Sequence, residues 1–373
     1  TATRLENRLG TGGTIGWRSW AGQKIIQPTK KIGENLIERR YKIEAAAAKE
    51  RIASINEQLK KTTNPDQIQA LTLQIAKIVQ QYQDNDYVTK TINESIKDIS
   101  PQSAAKLLPQ QQFLQIITDQ QISQDIKETI AELIKKVRDK DADTLISSQA
   151  FLQTAASQQS PVVIREATAE LIDKLRKSNF KARMNDANWV QSLQNLSQEF
   201  INAVASRIEK DFQEKDVINF MTDNARIDAA QNIPQIRDRL NSVSKGFLEA
   251  VINDNVNHAS IALSRLSKDF WTKPGSTIKI HQILQSKQNL QKNTENIFLD
   301  AIDMSNQPKE ILLAARDEDP QTGPAPIRTM LNNLFNQPTI AGQTDESLLT
   351  PQQQKAARIK QKLSKYQGII NSL

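Results

Sequence analysis

The chain contains no cysteine, only 11 glycines among 373 residues, and few aromatic side chains, which make up 5% of the total. Without cysteine, the protein cannot form disulfides, ligate zinc through sulfur or use a thiol nucleophile. The abundant residues include Leu, Ala, Gln and Lys, which lose little rotamer freedom in a helix. The composition therefore predicts an all-α fold.

Catalytic and ligand-binding motifs are also scarce. His258 and His281 are the only histidines, and neither lies near a recognisable nucleophile motif. The chain has no HExxH, EF-hand or Glu-x-x-His pattern, and the glycine-rich run at 10–16 lacks the Lys-Ser/Thr ending of a phosphate loop. We therefore expect no enzyme activity and no bound cofactor or metal.

Long hydrophobic runs are missing as well. No apolar run approaches the roughly 20 residues that span a bilayer, so we expect no membrane insertion by this segment. We expect no nucleic-acid binding either, because the basic stretches lack interleaved aromatic residues for base stacking. These absences favour a protein that acts by binding other proteins.

What the sequence does contain is an internal repeat. Similar segments begin at residues 54, 91, 129, 167 and 203, so consecutive copies are 37, 38, 38 and 36 residues apart. Within each copy, apolar side chains recur at offsets that place them on one face of a helix. In three copies they are Val88, Ile92, Ile96 and Ile99; Ile126, Ile130, Ile134 and Val137; and Ile164, Thr168, Ile172 and Leu175.

A period near 38 residues accommodates a helix, a turn and a second helix, as in solenoid proteins. Helix starts are predicted at five prolines, four of them preceded by a capping or polar residue: Asn64-Pro65, Ser100-Pro101, Ser160-Pro161, Thr350-Pro351 and, without a polar residue, Ile233-Pro234. The sequence predicts a solenoid-like array of helix-loop-helix repeats over 34–215. A Gly/Trp-containing segment, 1–33, precedes it, and a helical continuation or cap with longer helices, 216–373, follows.

The charge of +7 is concentrated at the two ends. Residues 1–60 carry 12 Lys and Arg against 6 Asp and Glu, and residues 354–373 carry five basic residues and no acid. Basic ends on a nearly neutral body predict contact zones for an acidic partner, with solvated helix faces as the alternative. The candidate residues are Lys30, Lys31, Arg39, Arg40, Lys355, Arg358, Lys360 and Lys362.

Trp17 and Trp20 form a second candidate site, within the glycine-rich segment that precedes the predicted first helix. Large apolar rings are favoured anchors in a partner's pocket. The alternative is that they fold back over the first helices as an N-terminal cap. Both interpretations remain open from the sequence.

The chain resembles the N-terminal repeat domain of the surface cell antigen 2 family of rickettsial autotransporters. The resemblance lies in the Cys-free, Asn/Gln/Lys/Ile-rich composition, the Gly/Trp segment and the repeats of about 38 residues. It extends over essentially the whole chain, but no short diagnostic motif carries it.

This resemblance implies a crescent of stacked helix pairs, displayed on the bacterial outer-membrane surface and exposed to host cytoplasm. Members of this family assemble actin in the manner of formins and stay at the growing barbed end of the filament. The implied partners are actin and another region of the parent protein. The alternative function is that of a secreted bacterial effector whose solenoid binds a different host protein.

Overall fold

The computed structural model describes residues 16–83, 85–317, 326–336 and 350–373, with side chains from residue 36 onward except at 352 and 353. In these residues the fold is all-α, with no β-strand beyond an isolated bridge between Ser157 and Leu196. The predicted fold class is thereby confirmed. The chain divides into two compact units, one ending at Leu133 and the other beginning at Ile134.

The first unit contains five helices and most of a sixth, which runs across the boundary. They are α1 (Gly16–Lys61), α2 (Pro65–Tyr82), α3 (Asp86–Lys97), α4 (Pro101–Leu107), α5 (Gln111–Thr118) and α6 (Gln124–Lys135). Helix α1 packs against α2, α3 and α4, and α2 also packs against α5. The long first helix is therefore the element around which this unit is assembled.

The second unit begins with helices that continue the repeat. They are α7 (Asp139–Ser147), α8 (Gln149–Ala155), α9 (Val162–Lys174), α10 (Lys177–Met184), α11 (Ala187–Ser192), α12 (Gln198–Asp211), α13 (Glu214–Met221), α14 (Asn224–Gln231) and α15 (Pro234–Val243). The remaining helices are α16 (Phe247–Ile252), α17 (Val256–Ser264), α18 (Lys268–Trp271), α19 (Ser276–Gln285), α20 (Gln288–Lys292), α21 (Thr294–Met304), α22 (Pro308–Arg316), α23 (Pro326–Asn336), α24 (Pro351–Lys362) and α25 (Gln367–Ile370).

The structure confirms the period but divides each repeat into three helices. A longer helix begins at residues 86, 124, 162, 198 and 234, in steps of 38, 38, 36 and 36. A second helix begins at 101, 139, 177 and 214, and a third at 111, 149, 187 and 224. The repeat therefore extends past residue 215, and α12 packs against α15 across that position.

Local capping chemistry explains why the second half of each repeat is two short helices where the sequence predicted one. Pro109 cannot continue the helix that ends at Leu107. In the next two repeats, Ser148 and Asp186 accept hydrogen bonds from backbone N–H groups at the start of α8 and α11. These side chains begin new helices.

The apolar face predicted from the repeat is buried throughout. Val88, Ile92 and Ile96 are 0% exposed, and the equivalent residues of the next two copies are at most 2% exposed. Within the second unit, α9 packs against α12 and α12 packs against α15. Four of the five predicted prolines are the first residue of a helix, whereas Pro161 immediately precedes α9.

Two helix boundaries differ from the prediction. Helix α1 begins at Gly16 and not near residue 34, since glycines lower helix stability by only about 1 kcal/mol each and do not forbid a helix. The helix that begins at Pro234, expected to be one of the longer ones, ends at Val243, and Lys245 and Gly246 then have positive φ angles. The predicted lengthening of helices after residue 215 is wrong, because the described helices there span 4 to 12 residues.

Candidate protein-binding surface

Several exposed large hydrophobic side chains cluster on one stretch of α1. Leu36 is 61% exposed, Ile37 53%, Tyr41 36% and Ile43 70%. Among the described side chains, these four account for half of the large hydrophobic residues that are exposed. We call residues 36–43 the α1 patch.

The exposure of the α1 patch follows from the lengths of the packed helices. Helix α1 has 46 residues and α2 has 18. The connection between them is only residues 62–64, a length typical of antiparallel helix neighbours. The 18 residues of α2 reach back from Lys61 only to about residue 44, so the part of α1 before residue 44 does not lie beside α2. The change from exposed to buried side chains at Ala45 agrees with this length.

Two apolar faces meet in the α1 patch. Ile37 and Tyr41 continue the stripe that, from Ala45 onward, is buried in the first unit. Leu36 and Ile43 are seven residues apart and therefore lie about 20° apart on a different face. At about 100° per residue, Arg39 and Arg40 flank that second face on either side. The α1 patch thus combines apolar side chains with guanidinium groups, the composition that is enriched at protein interfaces.

Charges on the α1 patch are partly compensated within the helix. The Arg40 Nε donates to the Glu44 carboxylate at 2.8 Å, and Lys42 Nζ lies 2.7 Å from Glu38. The Glu44 carboxylate raises the pKa of Arg40, and Lys42 lowers the pKa of Glu38. Arg39 is exposed and makes no ion pair with any residue that the structure describes. Arg39 is therefore available to a partner without first breaking an internal contact.

Four other predicted site residues, Trp17, Trp20, Lys30 and Lys31, belong to the backbone of α1. Their side chains lie outside the described residues, so their predicted roles stay predictions. They precede the α1 patch on the same helix. The N-terminal candidates are therefore parts of one continuous element.

At the C-terminal end, two predicted contact residues are engaged within the fold. Lys355 forms an ion pair with Asp300, and Lys362 Nζ lies 2.7 Å from an Asp303 carboxylate oxygen. Both acids belong to α21, against which α24 packs. These lysines attach the two helices to each other, a structural role that the sequence analysis did not foresee.

Of the other two C-terminal candidates, Lys360 is engaged within the fold and Arg358 is exposed. Lys360 Nζ donates to the Phe335 carbonyl at 2.5 Å, at the end of α23, where a positive charge favours the helix dipole. Arg358 is exposed and forms no ion pair in the part of the chain that the structure describes. The predicted role of the four C-terminal residues in partner binding stays a prediction, and Arg358 is the one whose side chain has no ion pair among the described residues.

Neither histidine has an arrangement around it that suggests catalysis. Burial lowers the pKa of His281, whose Nδ1 has no hydrogen-bond partner among the described residues. No group of three or more His, Asp and Glu in the described ranges could hold a metal ion. Within the same residues, no helix has the length and hydrophobicity needed to cross a bilayer.

Comparisons with known proteins add no relative. No protein-family model matches the chain, and a search of curated proteins returns no significant match. The function of the protein is therefore inferred from the α1 patch and from the resemblance in sequence organisation.

Proposed function

We propose that this protein is a helical scaffold that promotes actin assembly, in the manner of the formin-like rickettsial autotransporters, and that it contacts actin through the α1 patch. In this proposal it is exported to the bacterial surface and meets actin in the host cytoplasm. The observation that carries the proposal is the exposed group of Leu36, Ile37, Tyr41 and Ile43 beside Arg39 and Arg40.

The chemistry of the α1 patch supports a protein partner with an acidic surface. Its exposed aliphatic and Tyr side chains can enter apolar pockets, and its arginines can pair with carboxylates on both sides of the Leu36–Ile43 face. Actin is acidic, so basic residues near the contact would speed encounter. Added salt should consequently slow association more than it accelerates dissociation.

The experiment is assembly of pyrene-labelled actin with the purified chain and with the double variant Leu36→Ser, Ile43→Ser. Both side chains are exposed, so the variant should keep its far-UV circular dichroism and melting temperature. We expect it to lose most of the acceleration of assembly. The matched control is Val162→Ser, which alters a side chain that is 50% exposed at the start of α9, and it should assemble actin like the unaltered chain.

Two results would oppose the proposal. If the unaltered chain changes neither nucleation nor barbed-end growth, the actin assignment is wrong. A scaffold for a different host protein would then be the remaining interpretation. If the chain assembles actin and the double variant does so equally well, actin binding stands but the α1 patch is not its contact surface.

A further inference from the structure

The α1 patch carries exposed apolar side chains on two different faces of the same two helical turns. With Leu36 taken as the reference, a helix places Ile43 at about −20°, Ile37 at about 100° and Tyr41 at about 140° around its axis. All four side chains are exposed. The exposed apolar sector of α1 is therefore about 160° wide.

This sector is wider than contact with one flat surface requires. A helix that packs on a single neighbour does so with an apolar stripe of roughly 100°. A flat partner would therefore bury either Leu36 and Ile43 or Ile37 and Tyr41, and would leave the other pair in water. Both pairs are buried together when the partner has walls on two sides of the helix, as in the recognition of an amphipathic helix by a hydrophobic groove.

An ion pair lies in the middle of the sector. Arg40 and Glu44 project at about 40° and 80°, between the two apolar faces. The Arg40 Nε lies 2.8 Å from the Glu44 carboxylate, so the two charges compensate each other within the helix. Enclosing this part of α1 in a groove would therefore leave no unpaired charge at the base of the groove, which is the arrangement that is most costly to bury.

The other side of α1 faces helix α3 of its own chain. Glu38 and Lys42 project there, at about 200° and 240°, and lie 2.7 Å apart. Asn56, about five turns after Glu38 on the same face, donates to the Asp98 carbonyl just after α3. The pKa of Lys42 is raised chiefly by Glu38 and also by Tyr87, the second residue of α3, so α3 begins close to this side. A partner groove can therefore enclose the helix only from its apolar side.

The edge of the apolar sector indicates the chemistry of the groove rim. Arg39 projects at about 300°, next to Ile43. It is exposed and forms no ion pair within the part of the chain that the structure describes. Because a guanidinium pairs best with a carboxylate, which it can bind through two parallel hydrogen bonds, an acidic side chain is expected on the rim beside Arg39.

We propose that the α1 patch binds as a helix inside an apolar groove of its partner, with its two apolar faces against opposite walls and a carboxylate on the rim beside Arg39. The inference rests on the proposed function, in which the partner is actin. It adds the geometry of the contact. The groove is about 10–12 Å wide, the diameter of a helix with its side chains, and the concave site belongs to actin.

The test compares the affinities of variants of the full chain for actin monomers and for short actin filaments, measured by biolayer interferometry with the chain immobilised. The double variant Leu36→Ser, Ile43→Ser alters one apolar face, and Ile37→Ser, Tyr41→Ser alters the other. Each should weaken binding about tenfold or more, because each removes two large side chains from an enclosed contact.

Two further variants serve as controls. Glu38→Gln with Lys42→Gln alters the side of α1 that the groove does not enclose and should change affinity less than about twofold. Ile37→Val with Tyr41→Phe keeps the second face apolar and should retain most of the affinity. Melting temperatures should not change, because the altered side chains are exposed. If Ile37→Ser, Tyr41→Ser lowers the melting temperature, Ile37→Ser alone takes its place.

The outcomes separate this inference from the proposed function. If the chain binds actin and only one of the two serine variants loses affinity, a flat contact accounts for the binding and the groove is overturned, while actin binding stands. The groove is also overturned if both serine variants bind like the unaltered chain. If the unaltered chain binds neither form of actin, the proposed function fails and the inference fails with it.

Discussion

Arg207 offers a sharp test of how the repeats are held together. Its guanidinium donates from Nη1 to the Asp173 carbonyl and from Nη2 to the Leu175 carbonyl, both at 2.7 Å, at the C-terminal end of α9. Its Nε pairs with the carboxylate of Asp211. The arginine side chain is only 8% exposed and that of Asp211 9%. One buried cation on α12 therefore closes the end of the preceding long helix.

Replacing Arg207 by Met removes the positive charge but preserves most of the side-chain volume. Asp211 would then be a buried carboxylate without its partner, and two carbonyls at the end of α9 would lose their donor. Breaking a buried pair by removing one partner costs about 3–5 kcal/mol. Replacing the pair together, as Arg207→Met with Asp211→Leu, should recover much of that loss, because no unpaired charge remains.

Urea unfolding monitored by far-UV circular dichroism measures the effect. With a slope of about 3 kcal/mol per molar urea, Arg207→Met should lower the midpoint by about 1–2 M. Arg239→Met is the control, because Arg239 is 49% exposed in its 3.0 Å pair with Glu209 and such a pair contributes less than about 1 kcal/mol. Equal midpoints for the two single variants would refute the assigned role of Arg207.

Three further predictions concern other parts of the fold. Ile172→Asp should unfold its repeat at lower urea concentration, because an unpaired carboxylate would replace a side chain that is 0% exposed. Burial lowers the pKa of His281 in the folded protein, so the unfolded chain takes up the proton first as the pH falls. The urea midpoint should therefore decrease below about pH 6.5, and it should decrease less in His281→Gln. Lys355→Glu should lower the melting temperature by placing two acids together at Asp300, whereas Arg358→Glu should not change it.

The fold was predictable where the same physical requirement recurs. Ile92, Ile130 and Thr168 occupy equivalent positions 38 residues apart, and each must be buried for neighbouring long helices to pack. Repetition therefore reveals the buried face without any knowledge of the contacts. The division of each repeat into three helices was not predicted, because single capping residues such as Ser148 decide it and interrupt no apolar pattern.

The candidate surface was predictable only in part. Arg39 and Arg40 are exposed, and α2 is too short to reach that stretch of α1. Lys362 instead meets Asp303, 59 residues away in the sequence, and a local charge count cannot show such a pairing. The apolar side of the α1 patch was missed for a related reason. Leu36 has the apolar character of a core residue, and only the length of α2 shows that this helix does not cover it.

Hydrogen exchange of the full chain, measured with and without actin, tests most directly whether the α1 patch contacts actin. The measurement is made where pelleting shows that the chain is saturated with actin. Backbone amides of residues 36–43 should exchange more slowly in the complex, while those at the start of α9 near Val162, where an exposed apolar side chain also lies, should be unaffected. Unchanged exchange at residues 36–43 under saturation would contradict the assignment of the α1 patch as the actin-binding surface.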